Sequence, residues 1–205
     1  MKNAMKTIGM LSLFVFALSA LALGQSQLHG GAPPAASGPN YDVSLGYSSL
    51  TAALPGAGYL NLNGFDADGQ IYLTPRWGAA IDSNYARSFN VPGTPHSAYL
   101  LTLDAGPTFY PLEHGNTRIF LRMLAGAGLE DGAVPISHIE YFHGWLLRPS
   151  YAVGGGVEHP FSSALAFRIN GDYLRTRFFD SVGAVQPQNN FRMTVSLVYR
   201  PRHAY

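Results

Sequence analysis

Carboxylate and arginine side chains stand at alternate positions in several stretches of this sequence. Side chains two residues apart lie on the same face of a β-strand, so this spacing collects the charges on one side of a sheet. Enclosed charges must pair, because an unpaired charge is costly away from water. The sequence therefore predicts a network of paired charges inside a β-structure. Its predicted members are Asp42, Asp66, Asp68, Asp82, Asp104, Arg118, Arg122, Glu130, Glu158, Arg168, Asp172, Arg192 and Arg200.

A second group of reactive side chains lies between residues 137 and 145. His138, Glu140 and His143 offer imidazole and carboxylate ligands that suit zinc or copper. Their spacing does not match the i and i+4 pair that a helix offers, so we predict no metal site and no cofactor. The same segment allows two interpretations. It forms an aromatic patch that contacts lipid headgroups or a surface partner, or it forms a hydrophobic loop that folds over the end of the β-structure. The patch residues are Ile139, Tyr141, Phe142 and Trp145.

A hydrolytic enzyme would need a serine or aspartate that is activated by a nearby histidine. His159 lies beside Glu158 and close to Ser162, and this group comes nearest to such an arrangement. It falls at a predicted tight turn, where a structural role is favoured. We therefore predict no catalytic residue.

The elements that position these side chains are eight stretches of alternating apolar and polar residues. The last stretch, Asn190–Arg200, is the clearest, because only Val198 breaks its polar set. An even number of such strands favours a closed antiparallel barrel in which the last strand pairs with the first, Tyr41–Ser48. In the seventh strand the phase slips at Leu174 and Arg175, which predicts a bulge. The longer predicted connections are Thr51–Gly58, Ser88–Ser97, Asp131–Arg148 and Phe178–Asn189.

The apolar faces decide between a soluble and a lipid-facing structure. A soluble sandwich or a lipocalin-like barrel would bury its apolar faces and expose its charges. Here the apolar faces carry aromatic residues near both strand ends, as in the two aromatic girdles of a membrane barrel. We therefore predict an all-β protein, an eight-stranded antiparallel closed transmembrane β-barrel. The predicted girdle residues are Tyr41, Tyr47, Trp77, Tyr85, Tyr99, Phe109, Tyr151, Phe191 and Tyr199.

Composition and the N-terminal segment agree with export to a membrane. Charged residues make up 12% of the chain, about half of the roughly 25% found in soluble domains. Lys2 and Lys6 precede an apolar run that is shorter than the ~20 residues of a spanning helix, which predicts a cleaved signal peptide. The predicted segments are a signal peptide (1–24), a flexible periplasmic lead-in (25–40), the barrel (41–200) and a periplasmic tail (201–205).

Charge and cysteine content exclude several partners. The chain has no cysteine, so we expect neither disulfides nor a lipoprotein anchor. Beyond the predicted signal peptide, 11 arginines stand against 12 acidic residues. A net charge near −1 argues against a nucleic-acid partner.

Several motifs resemble the small outer-membrane β-barrel proteins of the porin or opacity type, which share the outer-membrane-protein-A-like barrel. The resemblance implies a bacterial outer-membrane location, contact with outer-membrane lipid, and insertion by the barrel-assembly machinery, which reads an aromatic residue after the last strand. Here Pro201 follows that strand and Tyr205 is the last aromatic residue. We also expect no peptidoglycan-binding domain. The motifs are Gly64–Ala67, Leu73–Arg76, Gly154–Val157, Asp172–Thr176 and Asn189–Arg192.

An eight-stranded barrel has an interior just wide enough for side chains. The predicted charge network therefore favours a polar plug that keeps the barrel rigid, and a narrow gated path for solutes is the alternative. We expect a monomeric, non-enzymatic structural or surface-interaction protein with an extracellular surface partner. The alternatives are a narrow porin-like channel for small solutes and a lipid-modifying outer-membrane enzyme.

Overall fold

Eight antiparallel strands form one closed barrel in sequence order within the part of the chain that the computed structural model describes. No helix in that part is long and apolar enough to cross a membrane. The predicted signal peptide, the lead-in and positions 202–205 of the tail lie outside the described residues. These residues are 41–54, 58–89, 91, 97–114, 117–135, 141–179 and 185–201.

The strands are joined as antiparallel hairpins, and the first strand pairs with the last from Val43↔Tyr199 to Thr51↔Phe191. The predictions of an all-β fold, of eight strands and of this closure are confirmed. We call the end where the first strand begins and the last strand ends the lower end, and the opposite end the upper end. The strands are β1 Tyr41–Leu54, β2 Gly58–Tyr72, β3 Trp77–Ser88, β4 Ala98–His114, β5 Thr117–Pro135, β6 Tyr141–Pro160, β7 Leu165–Phe179 and β8 Val185–Tyr199.

Three of the predicted long connections at the upper end are mostly strand. The β5–β6 ladder continues to Pro135↔Tyr141, so the predicted loop Asp131–Arg148 is largely a hairpin. The β1–β2 and β7–β8 ladders likewise continue to Leu54↔Gly58 and Phe179↔Val185. The prediction was wrong because glycine, proline and asparagine in these segments indicated loops, whereas backbone pairing within a hairpin tolerates them.

The predicted bulge in β7 is also wrong. Leu174 and Thr176 are buried inside the barrel, and Arg175 and Arg177 are exposed outside, so the alternation is unbroken. The register of β7 with both neighbours is continuous there. The sequence suggested a slip because a leucine stands at an inward position, and the upper interior proves to be apolar.

The outward face of the barrel is largely apolar over the middle of the strands. On β8, for example, Phe191 is 55% exposed and Leu197 is 45% exposed. A continuous apolar surface of this kind is stable in lipid and not in water. The nine predicted girdle residues stand at outward positions. Several form cross-strand aromatic pairs, with ring centroids 4.7 Å apart for Trp77 and Phe109 and 5.3 Å apart for Phe65 and Tyr85.

Candidate functional site in the barrel interior

Three arginines occupy the centre of the barrel. Arg122 on β5, Arg168 on β7 and Arg192 on β8 are each at most 3% exposed. Each stands at an inward position of an alternating strand, so the same pattern that forms the apolar wall also directs these charges inward. Buried guanidinium groups need anionic partners, and the interior supplies six acids, five of them on β1, β2, β3 and β6 and the sixth, Asp172, on β7.

Asp172 on β7 binds two of the three arginines. It accepts hydrogen bonds from Arg122 at 2.8 Å (Nε to Oδ1) and 2.5 Å (Nη2 to Oδ2), and from Arg192 at 3.0 Å (Nη2 to Oδ2). Arg192 lies directly across from Asp172 in the sheet, and Gly154 lies across on the other side. The bidentate pair with Arg122 is the stronger geometry, because two parallel bonds also fix the orientation of both groups.

The carboxylates of β2 and β3 complete this layer. Arg192 Nη1 lies 2.7 Å from Asp82 Oδ1 and 3.6 Å from Asp66 Oδ2. Arg122 Nη1 lies 3.2 Å from Asp82 Oδ2 and 3.4 Å from Asp68 Oδ2. Asp82 therefore contacts the same two arginines as Asp172 from the opposite wall, and the ion pairs cross the lumen.

Arg168 holds a second group of acids nearer the lower end. Its Nη1 lies 2.6 Å from Asp68 Oδ1, and its Nη2 lies 2.6 Å from Glu158 Oε2 and 3.1 Å from Asp42 Oδ1. Arg200 also pairs with Glu158. Asp68 links this group to Arg122, so ten of the predicted charges form one connected network: Asp42, Asp66, Asp68, Asp82, Arg122, Glu158, Arg168, Asp172, Arg192 and Arg200.

Three predicted members do not join the network. Arg118 pairs instead with Glu113 at 2.7 Å, close to the lower rim. Asp104 accepts a hydrogen bond from Ser150. Glu130 stands near the upper end, away from the arginines of the centre, and its Oε2 atom has no hydrogen-bond partner among the described residues.

An aromatic layer, which the sequence analysis missed, lies below the charges. Tyr110 and Phe120 are buried inside the barrel, and the ring centroids of Tyr72 and Tyr110 are 5.7 Å apart. Gln70 Nε2 donates to the Tyr110 hydroxyl, and the Arg118 guanidinium lies 4.2 Å from the centre of the Tyr110 ring. Phe120 could have been found from its spacing, because it stands between two inward arginines of the same strand.

An apolar layer lies above the charges. Side chains of β1 to β7 pack into one buried cluster, and all of them except Ala80, which stands one inward position below Asp82 on β3, lie above the charges. This layer was also missed. Strand alternation could again have indicated it, because the inward positions of the strands have even residue numbers and every member of the cluster has an even number. The cluster consists of Leu50, Ala52, Leu60, Leu62, Ala80, Ala86, Ala98, Leu100, Leu124, Ala152 and Leu174.

The structure describes only part of the histidine and aromatic candidates. His159 faces outward and its Nδ1 lies 2.9 Å from Thr117 Oγ1, whereas Glu158 is buried inside the barrel. Ser162 Oγ accepts hydrogen bonds from turn amides. His138, Ile139 and Glu140 lie outside the described residues. Tyr141, Phe142, His143 and Trp145 belong to β6 and not to a loop, and the Trp145 side chain is exposed.

No protein-family model matches this sequence, and no curated protein matches it. Among solved structures, the chain is similar to Neisserial surface protein A, with a TM-score of 0.60, 12% identity and coverage of 79% of this chain and 97% of that one. It is similar to Ail, the attachment invasion locus protein of Yersinia pestis, with a TM-score of 0.55, 18% identity and coverage of 80% of this chain and 99% of that one. It is also similar to the outer membrane protein OprG from Pseudomonas aeruginosa, with a TM-score of 0.52, 9% identity and coverage of 81% of this chain and 97% of that one.

These likenesses extend over almost the whole of each solved structure and establish the fold. The chain has the eight-stranded barrel of small outer-membrane proteins, as its motifs predicted. An apolar outward wall on this fold is the architecture of a protein of the bacterial outer membrane.

Proposed function

We propose that this chain is a non-enzymatic, non-conducting outer-membrane barrel that serves as a structural or surface-interaction protein. The observation that carries the proposal is the filled interior. Ion pairs between Arg122, Arg168, Arg192 and their acids occupy the centre, and packed layers lie above and below them. A conducting path would have to break all three layers, so the plug is favoured over the narrow channel.

The upper hairpins supply the interaction surface. The β4–β5 ladder ends at Tyr99↔Asp131, whereas β5 and β6 remain paired up to Pro135↔Tyr141. At the base of this hairpin, the outward side chains of Trp145, across from Asp131, and Leu147, across from Leu129, are 46% and 63% exposed. An aromatic and aliphatic surface above the girdle suits contact with a partner. Because barrels of this kind have short periplasmic turns and longer extracellular connections, we place these hairpins outside the cell and the lower end in the periplasm.

One of the similar proteins supports a role in surface contact. A structure of Ail holds the heparin analogue sucrose octasulfate, and this chain matches that structure with a TM-score of 0.53 and 19% identity. We extend to this chain only a capacity for surface contact, and we propose that the upper hairpins provide it. A closed barrel leaves no open sheet edge within the wall, so we further propose a monomer that the barrel-assembly machinery inserts.

Conductance recordings in planar lipid bilayers test the proposal. We expect no resolved current steps from the refolded wild-type barrel, and none from the Arg122→Ala variant, because the aromatic and apolar layers remain on either side of the altered position. A conducting porin recorded in the same bilayers is the positive control. Reproducible steps from the wild type would establish the channel and overturn the proposal.

A further inference from the structure

The barrel wall divides at its upper end between β6 and β7. Their ladder ends at Tyr151↔Arg175, although β6 begins at Tyr141 and β7 continues to Phe179. Pro149, two residues above Tyr151, has no backbone N–H to donate to a neighbouring strand. The β5–β6 and β7–β8 hairpins therefore part at this point, and the division opens on the lipid-facing side.

A groove of about 440 Å³ lies at this division. Its floor is apolar and aromatic, and its upper part carries two guanidinium groups from alternate positions of β7. No acidic residue lines it. The lining residues are Pro149, Tyr151, Val153, Tyr173, Arg175 and Arg177.

The groove stands at the level where lipid headgroups begin. Going up the outward face of β7, the apolar Phe167 and Ile169 give way to Tyr173 and then to Arg175 and Arg177. Arg175 lies across from the girdle position Tyr151, and Tyr173 lies across from Phe191. Tyrosines of a girdle occupy the boundary between hydrocarbon and headgroups. The two guanidinium groups are therefore at headgroup height.

Neither arginine is neutralised by the part of the chain that the structure describes. Arg175 and Arg177 are exposed and form no ion pair with a described residue. The outward Arg87, by contrast, lies over the Phe89 and Tyr99 rings at 4.1 Å and 4.7 Å. Guanidinium groups match phosphate oxygens in a bidentate geometry. Two free guanidinium groups above an apolar floor thus complement an anion that carries acyl chains.

We propose that this groove binds the phosphate of a glycolipid headgroup in the outer leaflet. Arg175 and Arg177 hold the phosphate, and the acyl chains lie along Tyr151, Val153 and Tyr173. The site goes beyond the proposed surface role. It rests on the lipid-facing wall and on the proposed placement of the upper end outside the cell, but not on whether the lumen conducts. A conducting barrel could still carry the lipid site. An experiment that rejects the lipid site and one that rejects the plugged interior are therefore separate results.

Native mass spectrometry of the purified barrel tests the site, with bisphosphorylated lipid A and its dephosphorylated form as probes. The wild type is expected to retain the phosphorylated lipid. The double variant Arg175→Gln, Arg177→Gln should bind it about 30-fold more weakly, because each arginine near a membrane surface contributes about fivefold to the affinity. Arg76→Gln, which removes an exposed arginine in the lower turn, should bind like the wild type.

Three results would overturn the site. They are equal binding by the double variant and the wild type, equal retention of the dephosphorylated lipid, and tighter binding of soluble sucrose octasulfate than of phosphorylated lipid A through the same two arginines, which would assign the groove to a sulfated glycan. Both side chains point outward, so the double variant should keep its heat-dependent gel shift. If it does not fold, Arg177→Gln alone should weaken binding about fivefold, and unchanged binding would reject the site.

Discussion

Replacement of Asp172 by alanine is expected to lower the free energy of unfolding by about 3–5 kcal/mol. Asp172 accepts hydrogen bonds from Arg122 and Arg192 and also from Asn170. Without it, Arg122 loses its nearest anion and Arg192 loses one of its two close anions, and the closed barrel leaves no route by which either guanidinium group could reach water. The cost arises because the buried positive charge of the two arginines is then only partly balanced by Asp66, Asp68 and Asp82.

Urea unfolding in lipid vesicles, followed by tryptophan fluorescence, measures this effect. The matched control is Glu113→Ala, which also removes a carboxylate bound to an arginine, Arg118, but at the exposed rim. Exposed pairs contribute at most about 1 kcal/mol. If the two variants lose the same stability, the interior is hydrated and the network is not a buried plug.

Gly154→Ala should destabilise the barrel by about 1–3 kcal/mol, the range for overpacking of a tight interior. A Cβ at this position would stand 2.2 Å from the Gly171 carbonyl oxygen and 2.4 Å from Asp172 Oδ1. The first atom belongs to the neighbouring strand and the second holds Arg122, so relief of the contact must distort the ladder or displace the carboxylate that orders the centre.

The nearby Gly171 is the control for Gly154. A Cβ at Gly171 would meet only the edge of the Phe191 ring, at 3.3 Å, on the lipid side, where the ring can turn away. Gly171→Ala should therefore change stability by less than about 0.5 kcal/mol, as is usual for surface substitutions. Refolding yield and urea midpoint compare the two variants, and a larger loss for Gly171→Ala would show that the inward and outward faces have been assigned the wrong way round.

Strand alternation carried most of what could be predicted. A period of two assigns every residue of a strand to one face once a single residue is placed. The apolar set of Asn190–Arg200 therefore gave the wall, and its polar set gave the inward Arg192 and Arg200. Lipid exposure followed because charges inside and aromatic residues outside invert the arrangement of a soluble barrel.

The same alternation fails where both faces are apolar or where pairing continues beyond the lipid. Leu174 stands at an inward position and resembles a slip of phase until the apolar layer above the charges is known. Tyr110 and Phe120 were hidden for the same reason, because an inward aromatic residue next to an outward apolar one gives no contrast. The long β5–β6 hairpin was hidden by glycine and proline, which a ladder between two strands accommodates.

The pairing of particular charges could not be read from the sequence. Arg168 and Asp68, for example, are 100 residues apart in the chain and meet across the lumen. Their contact depends on the tilt and stagger of the strands, which follow from closure of the whole barrel. The separation of Arg118, Asp104 and Glu130 from the network has the same origin.

Single-cysteine labelling of β8 tests most directly the claim of a lipid-embedded barrel with a packed interior, since the natural chain has no cysteine. We expect that a fluorophore attached before refolding to Val195→Cys or Leu197→Cys is quenched by brominated lipid. In the folded barrel, Thr194→Cys and Ser196→Cys should resist a charged thiol reagent that modifies Arg76→Cys rapidly, and urea should make them reactive. Rapid modification at 194 and 196 in the folded barrel, or no quenching at 195 and 197, would contradict the account.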